Sequence, residues 1–244
     1  MDNSGRHLLY GKTVFTTMRM SSGSIKDWDS HFERLTRGID FISGPLTPPI
    51  LKDLKQKLEA KLAEFNGNQV LRLDINWQNL SFEVSPRELP LERSAPFKLR
   101  GLKHRGRGPL WPSFLKSEIN FELRNSHLQA GDDDLLFLSD RGILEESSIA
   151  NIFIIKDQTL YTPKLGPNVL DGIVRRKVIN NAARFFLNVC EEDILFDHNF
   201  TADAIFLTNS VRGAFLVDRI DQFEITYTSD LLKKFDDIKE LVMK

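Results

Sequence analysis

The chain has 244 residues, of which 41% are hydrophobic and 27% charged, values typical of a globular protein with one large or two small domains. Its net charge of −1 gives no global attraction to nucleic acid or to an anionic membrane, and no stretch approaches the ~20 apolar residues of a membrane span. The single cysteine, Cys190, excludes an intrachain disulfide, and the histidines lack a metal-binding spacing. We therefore expect a cytoplasmic protein without a metal.

The first half of the chain alternates short strands with two amphipathic helices. Runs of β-branched and aromatic residues predict the strands, and apolar residues three and four positions apart predict the helices. In chain order the predicted elements are a strand over 14–20, helices over 31–42 and 48–65, and strands over 70–77, 80–84 and 97–102. Asp29 or Ser30 is the predicted cap of the first helix, and Thr47 of the second.

The stretch 103–112 is rich in glycine, proline and basic residues, which predicts a link between two domains. After this link the predicted elements are a helix over 119–128, strands over 135–138 and 152–155, a helix over 174–187, strands over 204–207 and 214–217, and a helix over 230–243. We therefore predict two mixed α/β domains, over 1–108 and 116–244, joined by a link over 109–115.

The segment Gly11-Lys12-Thr13 has the form of the end of a P-loop, which would hold a nucleotide phosphate. Such a loop has another glycine five positions before its last one, where this chain has Arg6. A P-loop also opens a helix, whereas the residues after Thr13 predict a strand. The segment is therefore not predicted to bind a nucleotide.

A spaced motif occupies the second predicted domain: DRGILEESSIANIFIIKDQTLYTP, residues 140–163, followed by GPNVLDGIVRR, residues 166–176. It resembles the signature of the fold-type IV pyridoxal-phosphate enzymes, which include branched-chain and D-amino-acid aminotransferases and aminodeoxychorismate lyases. The stretch YGKTVFTTMR, residues 10–19, and HFERL, residues 31–35, resemble the motifs of the family's first domain. With matches from residue 10 to about residue 218, the resemblance covers most of the chain.

The resemblance implies a general architecture and a cofactor. The fold is expected to be α/β, in the mixed α+β sense, with two domains and pyridoxal 5'-phosphate between them. The substrate is expected to be a small molecule. Relatives are homodimers, so the resemblance also implies a homodimer.

Three charged side chains receive roles from the resemblance. Lys116 lies thirty residues before Glu146, as the family's cofactor-binding lysine does, whereas Lys103 lies forty-three before it. Glu146 matches the carboxylate that faces the pyridine nitrogen. The adjacent Glu145 is expected to face the opposite side of the strand and to be solvated or at an interface. Arg34 matches the arginine that binds the cofactor phosphate, although on its own it could pair with a neighbouring acid of its helix.

Two further segments are expected to bind the phosphate. Gly172, Ile173 and Val174 open a predicted helix, whose free amides form an anion site. Val174 replaces the threonine that relatives often have there and can offer only its amide. Asn209 and Ser210 correspond to a turn that contacts the phosphate in relatives, although a turn alone would also explain them.

The chain departs from the family pattern in two places. Relatives of the branched-chain type have a tyrosine five residues after the lysine, where this chain has Phe121. The sequence begins close to the Tyr10-Gly11 pair, so much of the strand that precedes this pair in relatives is expected to be absent. Neither change removes the lysine, the glutamate or the arginine, so the resemblance implies an active enzyme. It also implies that His31 has a structural role.

The sequence favours a lyase that converts aminodeoxychorismate to pyruvate and 4-aminobenzoate in folate biosynthesis. The stretch FTT, residues 15–17, and the stretch EESSIAN, residues 145–151, are more similar to the lyases than to the aminotransferases. Thr17, Arg105 and Arg107 are the candidate substrate-binding residues, because the substrate carries two carboxylates. A branched-chain or D-amino-acid aminotransferase is the alternative. A member that binds the cofactor or another phosphorylated ligand without turnover is an alternative of a different class.

Overall fold

The computed structural model describes residues 10–108, 111–116, 118–185 and 188–243. The described residues divide into two compact units, the first lying within Met1–Leu91 and Phe114–Ser117 and the second within Glu92–Ser113 and Glu118–Lys244. The strand over Phe97–Lys103 lies in the second unit, whereas the sequence-based division at residue 108 placed it in the first. Residues 109–110 of the predicted link lie outside the described part of the chain.

The described residues of the first unit form an antiparallel sheet and two complete helices. The sheet has the strand order β2-β1-β3-β4. Its elements in chain order are β1 (Thr13–Ser21), β2 (Ser24–Ile25), α1 (Trp28–Ser43), α2 (Pro48–Leu62), β3 (Gln69–Asn76) and β4 (Phe82–Arg87). The predicted strand after Gly-Lys-Thr is confirmed as β1, so these residues do not open a helix.

Alternation along β1 and the helical spacing along α1 produce the core of the first unit. Apolar residues of β1, β3 and both helices are buried together: Val14, Met18, Met20, Leu35, Ile39, Ile42, Leu54, Leu58, Leu62, Leu71, Leu73 and Ile75. Helix α1 begins at Trp28, earlier than predicted, and Asp27 occupies its N-cap in a left-handed conformation without a side-chain cap. The prediction of Asp29 or Ser30 as the cap is therefore wrong. Thr47 does occupy the N-cap of α2, ahead of two prolines.

The described residues of the second unit form a larger sheet and three helices. Its elements in chain order are β5 (Phe97–Lys103), α3 (Ile119–His127), β6 (Asp134–Leu138), β7 (Leu144–Ser147), β8 (Asn151–Lys156), β9 (Thr159–Pro163), α4 (Ile173–Asn181), β10 (Asn188–Glu192), β11 (Ala204–Asn209), β12 (Gly213–Ile220), β13 (Phe223–Glu224) and α5 (Ser229–Met243). Helix α4 ends at Asn181 and continues as a short 3-10 turn, Ala182–Arg184. The predicted end of this helix at residue 187 lies outside the described residues.

Six strands of this sheet close on themselves. The order β8-β11-β12-β5-β6-β7 is completed by the pairing of β7 with β8, while β9 and β10 extend the sheet beyond β8. Alternate residues of β8 and β11 divide between two cores. Ile152, Ile154 and Ile205 pack inside the closed strands, whereas Phe153 and Phe206 pack on the other face against α4 and α5. Among the described residues no helix is both long and apolar enough to cross a membrane.

Candidate active site

Arg34 is held in the interior of the first unit by a threonine of β1. Its Nη2 donates a hydrogen bond of 2.7 Å to Thr16 Oγ1, which lies 2.6 Å from His31 Nδ1. All three side chains are buried, and His31 and Arg34 lie one turn apart on α1. Thr16 therefore links the predicted phosphate arginine to the histidine that the sequence assigned a structural role.

We predict that Thr16→Val lowers the free energy of unfolding by about 1–3 kcal/mol, because the variant keeps the shape of the side chain but loses both buried hydrogen bonds. Chemical denaturation of the cofactor-free protein measures this change. Thr13→Val is the matched control, since Thr13 makes one long contact of 3.4 Å to Asp74. An equal loss in both variants would contradict the prediction.

The segment that carries Lys116 packs on β1 and α1. Leu115 is buried and lies so close to Gly38 that a Cβ on that glycine would be 3.2 Å from the Leu115 side chain. Lys116 Nζ lies 5.3 Å from the centre of the Phe15 ring. A buried leucine thus anchors the predicted catalytic lysine over an aromatic ring of the FTT motif.

Thr17 lies on the same face of the first sheet as Phe15. It pairs across the sheet with Arg72, whose guanidinium lies 4.1 Å from the centre of the Phe15 ring and makes two hydrogen bonds of 2.7 Å to Asp74. Thr17 is only partly exposed. The predicted substrate residue therefore shares a face with the aromatic partner of Lys116 and with an arginine that sequence reasoning did not single out.

Glu146 is the most densely hydrogen-bonded carboxylate of the predicted site. Its Oε1 accepts hydrogen bonds from Arg107 Nη2 at 2.8 Å and from Asn120 Nδ2 at 3.1 Å. Its Oε2 accepts one from the Leu170 amide at 2.7 Å and a longer one from Asn151 Nδ2 at 3.4 Å. The Asn151 amide has a shorter bond, 2.8 Å, to the Leu170 carbonyl oxygen, so Oε2 retains capacity for another donor.

The environment of Glu146 has opposing effects on its ionisation. Burial raises the pKa of the Glu146 carboxyl above its ordinary value, because a buried charge loses its hydration. The Arg107 guanidinium, the Leu170 amide and the Asn120 amide act in the opposite direction, since they stabilise the carboxylate. Arg107 thus supplies the counter-charge in a pair that is almost completely removed from solvent.

A β-bulge changes the expected orientation of the two adjacent glutamates. Leu136 pairs with Ser147 and Leu138 with Leu144, so both glutamates lie opposite Phe137 alone. Glu145 is buried rather than solvated, and its two oxygens accept hydrogen bonds of 2.7 Å from His104 and Asn168. Glu145 was predicted to be solvated or at an interface, and this prediction is wrong within the second unit. The alternation of side chains between the two faces of the strand fails at the bulge.

The two arginines of the segment 104–107 occupy different environments. Arg105 is exposed, whereas the Arg107 side chain is only 4% exposed and pairs with Glu146. Gly106, between them, has φ +77°, a left-handed conformation that glycine adopts without strain. Of the two candidate substrate residues, Arg107 therefore contacts the predicted cofactor carboxylate.

Three of the residues predicted to bind the phosphate, Gly172, Ile173 and Val174, lie where α4 begins. Gly172 is the N-cap of α4, and the first intrahelical bond runs from the Arg176 amide to the Gly172 carbonyl oxygen. The preceding amides of Ile173 and Val174 are thus the orphan donors of a helix N-terminus. Asn151 lies against Gly172, where a Cβ would be 2.1 Å from its Oδ1.

Thr208 adds a polar group that sequence reasoning missed. It is the cross-strand partner of Asn151, so the two side chains share the face that borders α4. Its side chain is 1% exposed, and its Oγ1 has no hydrogen-bond partner among the described residues. A buried hydroxyl without a partner beside a helix N-terminus suits an anionic ligand such as a phosphate.

Asn209 and Ser210, the turn residues predicted to contact the phosphate, come directly after Thr208 in the chain. Asn209 ends β11, and its Oδ1 accepts hydrogen bonds from the amides of Val211 and Arg212, while its Nδ2 donates to the Ile149 carbonyl oxygen. Its side chain is thus used to shape the turn. Ser210 is the first residue of this turn. The structure therefore leaves Ser210, rather than the Asn209 amide group, for a ligand.

The position of the missing tyrosine has an explanation in helix α3. Phe121 is 55% exposed, whereas the preceding Asn120 is buried and donates to Glu146. The inward position of α3 is thus occupied by a polar residue that contacts the predicted cofactor carboxylate, Glu146. A polar residue between Ile119 and Phe121 was the only signal in the sequence that could have indicated this role.

The profile of the family described as Amino-transferase class IV matches residues 13–220. The chain belongs to this family. Its mixed α/β architecture is the fold-type IV architecture, which confirms the fold predicted from the motifs.

Three similar proteins represent the activities in this family. The aminodeoxychorismate lyase of Bacillus subtilis is 29% identical over 91% of this chain and 81% of its own length. A protein of Thermotoga maritima named "Probable branched-chain-amino-acid aminotransferase" is 28% identical over 86% of this chain and 77% of its own length. The crystal structure of an aminotransferase from Brucella abortus, bound to the cofactor PLP, has a TM-score of 0.76 at 17% identity, covering 98% of this chain and 92% of that one.

Proposed function

We propose that this class IV family member is a pyridoxal-phosphate-dependent 4-amino-4-deoxychorismate lyase, which releases pyruvate and 4-aminobenzoate for folate biosynthesis. The observation that carries the cofactor assignment is the buried Glu146 carboxylate, which accepts four hydrogen bonds beside a helix N-terminus. The choice of a lyase is supported by 29% identity to the Bacillus subtilis lyase. The proposed enzyme is a cytoplasmic homodimer that acts on a small molecule.

The residues present suit pyridoxal phosphate at both ends of the molecule. Glu146 Oε2 has room for the ring nitrogen as an additional donor, and a negative charge there favours the protonated nitrogen. The orphan hydroxyl of Thr208 and the first amides of α4 suit the phosphate. When bound, the cofactor supplies an electron sink for the charge that develops at the substrate α-carbon.

The chain's own residues then have distinct tasks. The Lys116 amine would hold the cofactor covalently and would then move the proton at the substrate α-carbon. Arg34 supplies a guanidinium for the phosphate, held by Thr16. We assign the binding of the substrate carboxylates to Arg105, which is exposed, and to Thr17, which is partly exposed.

An aminotransferase is the second candidate. The specific observation in its favour is the 28% identity to the Thermotoga maritima protein, almost the same as the identity to the lyase. Both reactions use the same lysine and carboxylate. They differ in whether the amino group is transferred to a second substrate or leaves with the aromatic product.

A product assay separates the two reactions. The protein, supplied with pyridoxal phosphate, is incubated with 4-amino-4-deoxychorismate, and pyruvate and 4-aminobenzoate are measured as they form. We expect the two products in equal amounts without an added oxo acid. Activity only with an amino acid and an oxo acid would replace the lyase by an aminotransferase. A protein that binds the cofactor and catalyses neither reaction would be a binding member of the family.

Thr208→Val provides a test of the phosphate end that does not depend on turnover. We predict that the affinity for pyridoxal phosphate falls about tenfold or more, because the variant loses a hydrogen bond to a charged group. The stability of the cofactor-free protein should be unchanged or higher, since the hydroxyl has no partner there. Fluorescence titration and thermal unfolding measure the two effects.

Thr162→Val is the matched control for this variant. The Thr162 hydroxyl is buried and donates a hydrogen bond of 2.8 Å to the Ile152 carbonyl oxygen. Its loss should therefore lower the stability of the cofactor-free protein with little direct effect on cofactor affinity. The same stability loss in Thr208→Val, with an unchanged affinity, would remove Thr208 from the phosphate site.

A further inference from the structure

Glu145 belongs to a buried hydrogen-bond network that the family motif does not predict. Its Oε2 lies 2.7 Å from His104 Nε2, and its Oε1 accepts a hydrogen bond of 2.7 Å from Asn168 Nδ2. The Gly106 amide donates to His104 Nδ1 at 3.0 Å, so in the neutral ring the proton is on Nε2, which donates to Glu145. Both oxygens of Glu145 are thus used to hold two polar side chains.

The same network fixes the backbone that carries Arg107. The Arg107 amide donates a hydrogen bond of 2.7 Å to Asn168 Oδ1, the other atom of the amide group that binds Glu145. Gly106 lies so close to Asn168 that a Cβ there would be 2.1–2.6 Å from the side-chain amide. The segment 104–107 is therefore held at several points by the network of Glu145, His104 and Asn168. These contacts lie next to Arg107, whose guanidinium contacts Glu146.

The positioned guanidinium has a chemical consequence for Glu146. A carboxylate that is removed from water tends to take up a proton unless a cation lies beside it. Arg107 is the cation that contacts Glu146 among the described residues, and both side chains are almost fully buried. The other three donors, from Asn120, Asn151 and the Leu170 amide, are uncharged.

We propose that Glu145, acting through His104 and Asn168, positions Arg107 as the buried counter-cation that keeps Glu146 ionised for the ring nitrogen of the cofactor. This inference rests on the proposed function, in which Glu146 faces that nitrogen. Glu145 is thus a positioning residue, since it contacts neither Glu146 nor a ligand. The β-bulge of β7 is the structural cause, because it brings two adjacent carboxylates against one short segment.

The test compares pyridoxal phosphate with its 1-deaza analogue, in which a C–H group replaces the ring nitrogen. The ratio of the two dissociation constants reports the interaction at the nitrogen, while a general loss of folding or of phosphate binding affects both ligands alike. We expect wild type to favour pyridoxal phosphate. Glu145→Gln should reduce this preference about three- to tenfold, because a glutamine cannot accept from both His104 and Asn168 without reversing one contact.

Two further variants complete the experiment. Arg107→Met should reduce the preference at least as much, and the double variant with Glu145→Gln should not exceed Arg107→Met alone, since Glu145 acts through Arg107. His104→Phe keeps the ring contact with Phe137 but loses both hydrogen bonds, and should reproduce the effect of Glu145→Gln. Glu224→Gln, at an exposed position of β13, should change nothing.

Several outcomes would overturn the proposal. An unchanged preference in Glu145→Gln and His104→Phe, or additive effects in the double variant, would show that Glu145 does not act through Arg107. An increased preference in Arg107→Met would mean that Arg107 competes with the ring nitrogen for Glu146. A wild-type protein that binds both ligands equally would remove Glu146 from the nitrogen, and with it this inference. A wild-type protein that binds neither would overturn the proposed function itself.

Discussion

Lys116→Ala is expected to lower the rate of pyruvate release by at least about 1,000-fold, the largest effect of any single substitution in the chain. The variant loses both the covalent attachment of the cofactor and the amine that moves the proton at the substrate α-carbon, and positioned proton transfer alone contributes about 10²- to 10⁴-fold. After borohydride treatment, mass spectrometry should find the cofactor on the peptide with Lys116 in wild type and on no peptide of the variant.

The matched control for this variant is Lys103→Ala. Lys103 ends β5, is exposed, and was the other lysine near the predicted link. We expect this variant to retain the label and the activity of wild type. A label on Lys103, or full activity in Lys116→Ala, would contradict the assignment of the cofactor-binding lysine while leaving the family membership unaffected.

Glu146→Gln is expected to have the second-largest effect, a loss of turnover on the order of 100-fold or more. The variant is nearly isosteric but has no negative charge to favour the protonated ring nitrogen, and the removal of one preorganised electrostatic contact typically costs this much. Product formation is measured at saturating cofactor, so that weaker binding does not contribute. Glu224→Gln, an exposed glutamate of the same unit, should keep wild-type turnover.

The same substitution should also change how stability depends on pH. Burial raises the pKa of the Glu146 carboxyl in the folded protein above its value in the unfolded chain. The folded protein therefore binds this proton more tightly than the unfolded chain does. The stability that results is fully present below the unfolded pKa and is lost as the pH rises through the folded pKa. The free energy of unfolding of the cofactor-free variant should therefore fall less than that of wild type as the pH is raised from about 4. Chemical denaturation across this range measures the slope, and identical slopes would contradict the direction of the shift.

Where Glu146 is ionised in wild type, the variant is also expected to be less stable than wild type in absolute terms. Arg107 is almost completely buried and would lose its ion pair, and breaking a buried pair by removing one partner typically costs about 3–5 kcal/mol. The pH slope and the absolute loss are separate quantities, so both can be taken from the same denaturation curves. Arg107→Met should show the opposite change in slope, because it leaves the buried carboxylate without its cation.

The sequence by itself determined the family, the fold class and most of the regular elements. Periodicity alone predicted α1, α2, β1 and β3, because each has enough apolar residues at one spacing to specify its buried face. The spaced motif from Gly142 to Arg175 indicated fold-type IV. These features are local, since each is encoded by residues close together in the chain.

The contacts of the candidate site were decided only by the tertiary structure. Alternation predicted that Glu145 would turn away from Glu146, but pairing with β6 produces a bulge, and a bulge depends on two strands rather than one. Asn168 and His104, more than sixty residues apart in the chain, meet at Glu145. Thr208 is unremarkable in the sequence, and its orphan hydroxyl exists only because its face of the sheet is covered by α4.

The physical reason for this division is the range of the interactions. A helix or strand follows from the spacing of its own apolar side chains, so its sequence is sufficient to predict it. A buried charge depends on which donors come within about 3 Å, and these are supplied by distant segments after folding. The sequence therefore predicted Glu146 as the cofactor carboxylate, and the tertiary structure alone showed that it is surrounded by Arg107, Asn120, Asn151 and the Leu170 amide.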